Sequence, residues 1–141
     1  NGAVIVTTPQ EVALQDVYKS VSMCQKVGIP ITGVVENESY FVCDGCDKRH
    51  EPFGSGGGAK VAEMAGAPLL GQIPMHSSVR EWGDAGTPLV QASPGSEVAK
   101  SFVELADRLI VQLDRDNAAA AGGVQIDRSG GVNRHLPISR S

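Results

Sequence analysis

The sequence predicts an α/β fold in which a parallel sheet carries helices on its faces. Three features predict it. Ala3-Val4-Ile5-Val6-Thr7 and the stretch from Ile31 to Val35 are continuous apolar runs, the pattern of strands buried on both faces. Between them Ala13, Val17, Val21 and Cys24 recur at helical spacing, three or four positions apart. Strand, helix and strand within roughly thirty residues form a βαβ unit, which implies a right-handed parallel crossover.

The first helix is expected to be capped by Thr8, with Pro9 at its first position and Glu11 completing a capping box. Gly28 ends it. The stretch from Glu36 to Gly58 is polar and glycine-rich, and it is longer than an ordinary connection, which favours a functional loop. Lys60 to Ala65 reads as a short helix stopped at Gly66. Leu69 to Ile73 is a third short strand, cut by Pro74, and Ser78 to Trp82 supplies one or two helical turns. Ser93-Pro94 opens the last helix, whose apolar stripe is Val98, Phe102, Leu105 and Leu109. Residues 1–113 form the domain. Residues 114–123, charged and then rich in Ala and Gly, read as a linker. Residues 124–141 read as a tail, either disordered or the start of a further domain. Three strands do not close an α/β domain, so the chain reads as part of a larger sheet with an open edge prone to aggregation.

Composition excludes several classes. With 41% hydrophobic residues and a net charge of −4 over 141 residues, the profile is that of a globular domain. It argues against nucleic-acid partners, and no apolar run approaches the roughly 20 residues of a membrane span. Three cysteines, two of them in C-x-x-C, favour a metal or redox role in a reducing compartment over a disulfide framework. The compartment is read as the cytoplasm, or as an organelle stroma or matrix where a targeting segment has been removed upstream.

Cys43-Asp44-Gly45-Cys46 is the strongest chemical motif. Two thiols separated by two residues can turn toward one metal, and Gly45 is expected to relax the turn's dihedrals. A tetrahedral zinc or a [4Fe–4S] cluster takes about four ligands, so two more are required. His50 is a possible third, and two copies of the chain meeting at this loop would supply four thiolates. A zinc knuckle and a redox pair are the alternatives, the latter disfavoured because a helix should follow the motif. Cys24 reads as a buried structural thiol. Gly54 to Lys60 departs from the Walker pattern, with Ala59 where Gly is required and Val61 in place of the hydroxyl. It reads as a flexible loop entering a helix, with weak anion contact at the helix start as the lesser reading. Asn37 lies just past a strand, where sheet ligands bind. It is either a turn residue or an amide that reads an adenine edge. Pro74 ends another strand in a similar place. Glu36 and Glu38 straddle a strand end and read as solvent-exposed.

Gly2 to Gln10 (GAVIVTTPQ), Val34 to Cys46 (VVENESYFVCDGC), Pro52 to Gly58 (PFGSGGG), Pro68 to Pro74 (PLLGQIP) and Gly83 to Val90 (GDAGTPLV) occur in that order. Together they resemble the C-terminal half of the Mrp/Nbp35 (ApbC-type) family of iron–sulfur cluster carrier P-loop ATPases, over about residues 1 to 113. The PFG and GDAGTP segments resemble its plastid-type branch, whose additional C-terminal domain would account for the tail. The resemblance implies a Rossmann-like, deviant-Walker sheet lacking its N-terminal half. It implies a homodimer that holds a labile [4Fe–4S] cluster between subunits through Cys43 and Cys46 and passes it to apo iron–sulfur proteins. It also implies ATP and Mg binding, with Asn37, Pro74 and Met75 beside the base. The family's phosphate loop and aspartate strand fall upstream of Asn1, so the chain alone is expected to be inactive as an ATPase. Glu38 stands where the family commonly has Met. The rival functions are a zinc-stabilised interaction module, with His50 as a ligand, and a septum-positioning or partitioning ATPase relative, which would not need the C-x-x-C.

Overall fold

A computed structural model describes residues 2–43 and 45–122. The described chain runs β1 (Ala3–Thr7), α1 (Glu11–Lys26), β2 (Ile31–Glu36), β3 (Phe41–Val42), β4 (Arg49–His50), α2 (Gly57–Ala65), β5 (Leu69–Gln72), α3 (Ser77–Asp84), α4 (Leu89–Ala92) and α5 (Glu97–Gly122). Strands β1, β2 and β5 form a parallel sheet in that order, and β3 and β4 form a separate antiparallel hairpin.

The sheet has a core on each face. Ile5, Val34, Leu14, Val21, Cys24, Val61 and Ala62 pack together where α1 and α2 cover one side. Val35, Leu70 and Ile73 meet Phe102, Leu105 and Leu109 of α5 on the other. The alternation of Val34 and Val35 between these clusters is the period-2 geometry of a strand buried on both faces. Gly33 permits the close pairing of β2 with β5, because a Cβ there would lie 2.4 Å from Leu70 Cγ.

β1 departs from its expected two-sided burial. Ile5 and Thr7 are buried, but Val4 and Val6 are exposed, Val6 by 58%. Val6 pairs with Val35 and shares its face. α5 packs over β2 and β5 on that face, which leaves the flank at β1 open.

Three local expectations are corrected. α1 begins at Glu11 after Gln10, whose backbone oxygen accepts from Ala13 and Leu14 and whose side chain makes no cap. Thr8 therefore does not cap the helix. Pro9 is buried one residue before the cap and packs against the start of α2, where a Cβ on Gly57 would come within 2.9 Å of Pro9 Cα. α5 opens at Glu97 rather than at Ser93-Pro94, with the Ser96 hydroxyl accepting from Ala99 N–H. The expected linker at 114–123 is helical through Gly122, because Ala118 to Ala121 is a run of the strongest helix former. The strand and turn expected within 124–141 lie outside the described residues.

The open flank yields a measurable expectation. A charge at an exposed edge position opposes strand-to-strand association. Val6→Lys is expected to lower concentration-dependent association, read by light scattering, while changing unfolding stability by less than about 0.5 kcal/mol.

Candidate functional site

The carboxyl ends of β2 and β5 are stitched together by their backbones. Ile73 N–H donates to Glu36 O at 2.8 Å, Ser39 N–H to Ile73 O at 3.0 Å, and Met75 N–H to Tyr40 O at 2.6 Å. Asn37 N–H donates to Thr7 O at 2.7 Å, tying the same exit to β1. Ligands of open α/β sheets bind beyond these strand ends. Asn37, Pro74 and Met75 converge there on a cleft of about 170 Å³, which His76, Val79 and Arg80 also line. His76 Nδ1 accepts from Ser78 N–H at 3.1 Å and so caps α3. Glu38, expected to be solvent-exposed, is half-buried at the cleft's rim, with a left-handed φ of 52°.

From this platform β3 and β4 project as a hairpin. Phe41 pairs with His50 and Val42 with Arg49. Arg49 lies over the Tyr40 ring at 3.8 Å and forms an ion pair with Glu51 at 3.3 Å, which braces the hairpin's root. The tip is closed by backbone bonds. Cys43 O accepts from Cys46 N–H at 3.3 Å and from Asp47 N–H at 2.8 Å, while Cys43 N–H donates to Lys48 O at 3.0 Å. Asp47 in this turn has a left-handed φ of 53°.

Cys46 is exposed at the tip and Cys43 is half-buried. Among the described residues no three His, Cys, Asp or Glu side chains group closely enough to hold a metal ion. His50 lies on β4, paired with Phe41. Two thiols are half of what a four-coordinate zinc or a cubane cluster takes. Cys24 is buried in the core beneath α1, as a structural thiol should be.

Sequence reasoning missed the most constrained polar group of the site. Glu36, expected at the surface, is fully buried. Its carboxylate accepts from Ser39 Oγ at 2.5 Å, Gly58 N–H at 2.5 Å and Gln72 Nε2 at 2.8 Å. Gly58 lies in the first turn of α2, so the carboxylate occupies the positive end of that helix. Gly58 is thus needed for packing, since a Cβ there would lie 2.7 Å from Glu36 Cβ, whereas Gly54 and Gly56 have open space around them and left-handed φ of 82° and 79°. The expected flexible loop is replaced by α2 starting at Gly57, and the anion at its start is internal. One signal in the sequence pointed here: a helix start rich in glycine invites an anion, and Glu36 closes an otherwise apolar strand.

Burial alone would raise the Glu36 pKa. The hydrogen bonds from Ser39, Gly58 and Gln72, with the Arg49 charge nearby, outweigh it and hold the carboxyl below its ordinary value of 4.5.

The described residues thus form an open parallel α/β sheet with a cleft at its strand ends and a neighbouring hairpin that carries two thiols. Comparison with known proteins gives the particular family. The chain belongs to the family described as ParA: NUBPL iron-transfer P-loop NTPase, which matches residues 1–110. It is similar to the iron–sulfur cluster carrier protein of Salmonella typhimurium, 50% identical over 113 residues that cover 79% of this chain and 30% of the relative. It is similar also to the iron–sulfur cluster transfer protein NUBPL of Mus musculus, 41% identical over 113 residues, 80% of this chain and 35% of that protein. The chain thus spans about a third of the length of these relatives. Among solved structures, the cell division ATPase MinD of Pyrococcus furiosus superposes with a TM-score of 0.57 at 30% identity, covering 77% of this chain and 41% of that one. No described helix is long and apolar enough to cross a membrane.

A pH expectation follows from Glu36. Its depressed pKa contributes stability that is fully present above 4.5 and is lost as pH falls through the lower folded value. Unfolding midpoints measured from pH 7 down to about pH 3 should therefore decline less steeply in Glu36→Gln than in the parent. At neutral pH that variant should be about 1–3 kcal/mol less stable, since it turns a donor toward donors.

Proposed function

We propose that this chain is the cargo-binding part of an iron–sulfur cluster carrier. The observation that supports it most directly is the exposed hairpin tip bearing Cys43 and Cys46 as a two-thiol half-site. Two copies meeting tip to tip through a twofold contact supply four thiolates, the number a [4Fe–4S] cluster takes. The cluster is cargo in this reading, delivered to apo iron–sulfur proteins whose own thiolates displace those of the carrier. A tip held by only two residues per copy and open to solvent suits that exchange. The printed names of the relatives, cluster carrier and cluster transfer protein, support the same class of activity.

The strand-end cleft is proposed as the seat of an adenine base, as part of an ATP and Mg site completed by other residues of the whole protein. The Asn37 amide can donate and accept along one base edge, with Pro74 and Met75 against the ring. The start of α2 is not a phosphate site, because Glu36 already occupies it. Hydrolysis of ATP in the full-length protein would drive exchange between arrangements that differ in access to the cluster.

Anaerobic reconstitution with iron and sulfide tests the cargo site. A brown species with about four irons per two chains is expected. It should be lost in Cys43→Ala and in Cys46→Ala and retained in His50→Ala. A colourless monomer that keeps one zinc and loses it in His50→Ala would replace this reading with a zinc-stabilised interaction module. For the cleft, Asn37→Ala in the full-length protein is expected to weaken ADP about tenfold, measured by calorimetry, while cluster content stays at the parent level. Unchanged ADP affinity would remove Asn37 from the base site.

A further inference from the structure

The fully buried carboxylate at the end of β2 has no part in binding a metal or a base in the reading above, yet it lies where both proposed sites begin. Its three donors come from three different directions. Gly58 N–H belongs to α2, Gln72 Nε2 to the neighbouring strand β5, and Ser39 Oγ to the segment that leads out of the sheet. That segment is short. Asn37 is one residue after Glu36, Ser39 is 1% exposed, and Tyr40 immediately precedes β3. Two of its peptide groups are also bonded across to the β5 exit, Ser39 N–H to Ile73 O and Tyr40 O to Met75 N–H. Unlike these backbone bonds, the one through the Ser39 side chain ends on a charge. A hydrogen bond to an ionised acceptor is stronger than a neutral one, and burial removes the water that would compete for it.

We propose that Glu36 is a positioning residue for the cysteine hairpin: through Ser39 its buried carboxylate fixes the exit of β2, so that the thiol pair is presented at a set height and angle above the sheet. Ser39 is the contact on the hairpin side and Gln72 the contact on the sheet side of the same carboxylate oxygen, Oε1. The pair allows a structural role to be told from a positioning one. A carboxylate that merely stabilised the core would lose about equally from either deletion, and the loosening would spread through the sheet. A carboxylate that positions the hairpin loses its function with Ser39 and keeps it without Gln72.

The consequence for cargo rests on the carrier reading, and two readouts separate the failures. The first needs no cluster. Amide hydrogen exchange is measured on the metal-free chain for the parent, Ser39→Ala and Gln72→Ala. Ser39→Ala is expected to speed exchange across residues 40–50 about tenfold, the factor carried by one net hydrogen bond, with the amides of α1 and β1 unchanged. Gln72→Ala is expected to leave residues 40–50 as in the parent. Equal loosening by both variants, or none by either, overturns the proposal whatever the fate of the carrier reading. The second readout follows the visible absorbance of the reconstituted chain during extraction by an iron chelator. Its half-life is expected to shorten about tenfold in Ser39→Ala and to match the parent in Gln72→Ala. Identical half-lives in all three, on a parent that does hold a cluster, overturn the positioning role at the cargo site. A parent that forms no cluster but shows the exchange pattern retains the clamp and discards the carrier reading.

Discussion

A negative charge with no access to water sits at the end of the central strand, and the surrounding architecture is arranged to tolerate it. Removing an ionised carboxylate from solvent costs several kcal/mol unless charge-assisted hydrogen bonds replace the water it gives up. Glu36 receives three such bonds, one from the first turn of α2. The requirement propagates outward. α2 must bring its N-terminus to van der Waals contact with β2, so Gly58 can carry no Cβ, and Gly57 must clear Pro9 just before α1. The close approach of the start of α2 to β2, and the need for glycine at 58, thus follow from one buried carboxylate.

The same point of the sheet is where chemistry becomes possible. Parallel strands end together on one edge, and their outgoing chains either cross over or project. β5 exits into Pro74 and Met75, which turn back to line the cleft with Asn37. β2 exits through Ser39 and Tyr40 into the hairpin that carries the thiols. The Met75–Tyr40 backbone bond ties these exits to each other, so the cleft and the hairpin share a wall. That shared boundary is made of backbone hydrogen bonds between two short segments.

The flank of the sheet at β1 is open. Val4 and Val6 lie on the face that α5 covers over β2 and β5, and Val103 and Ile110 of α5 are themselves more than half exposed. Apolar groups on β1 and on α5 thus remain uncovered. The chain spans about a third of its relatives' length.

The sequence by itself determined the order of the main strands and helices, because periods of 2 and 3.6 in apolar residues survive without knowledge of neighbours. It determined the helix stop at Gly66, which has the left-handed φ of 65° that glycine supplies. It also isolated Cys43 and Cys46, since thiol spacing within one turn is a local property, and placed Cys24 in the core. The tertiary structure alone decided what depended on partners distant in the chain. Glu36 reads as exposed because its three donors lie 3, 22 and 36 residues away, and nothing local announces that they converge. Thr8 and Pro9 read as a cap because their composition suits one, whereas packing against Gly57 takes Pro9 for another purpose. Asn37, Pro74 and Met75 became one cleft only when β2 and β5 paired. Local spacing therefore marked which groups are candidates for chemistry, and the pairing of remote strands fixed which of them meet.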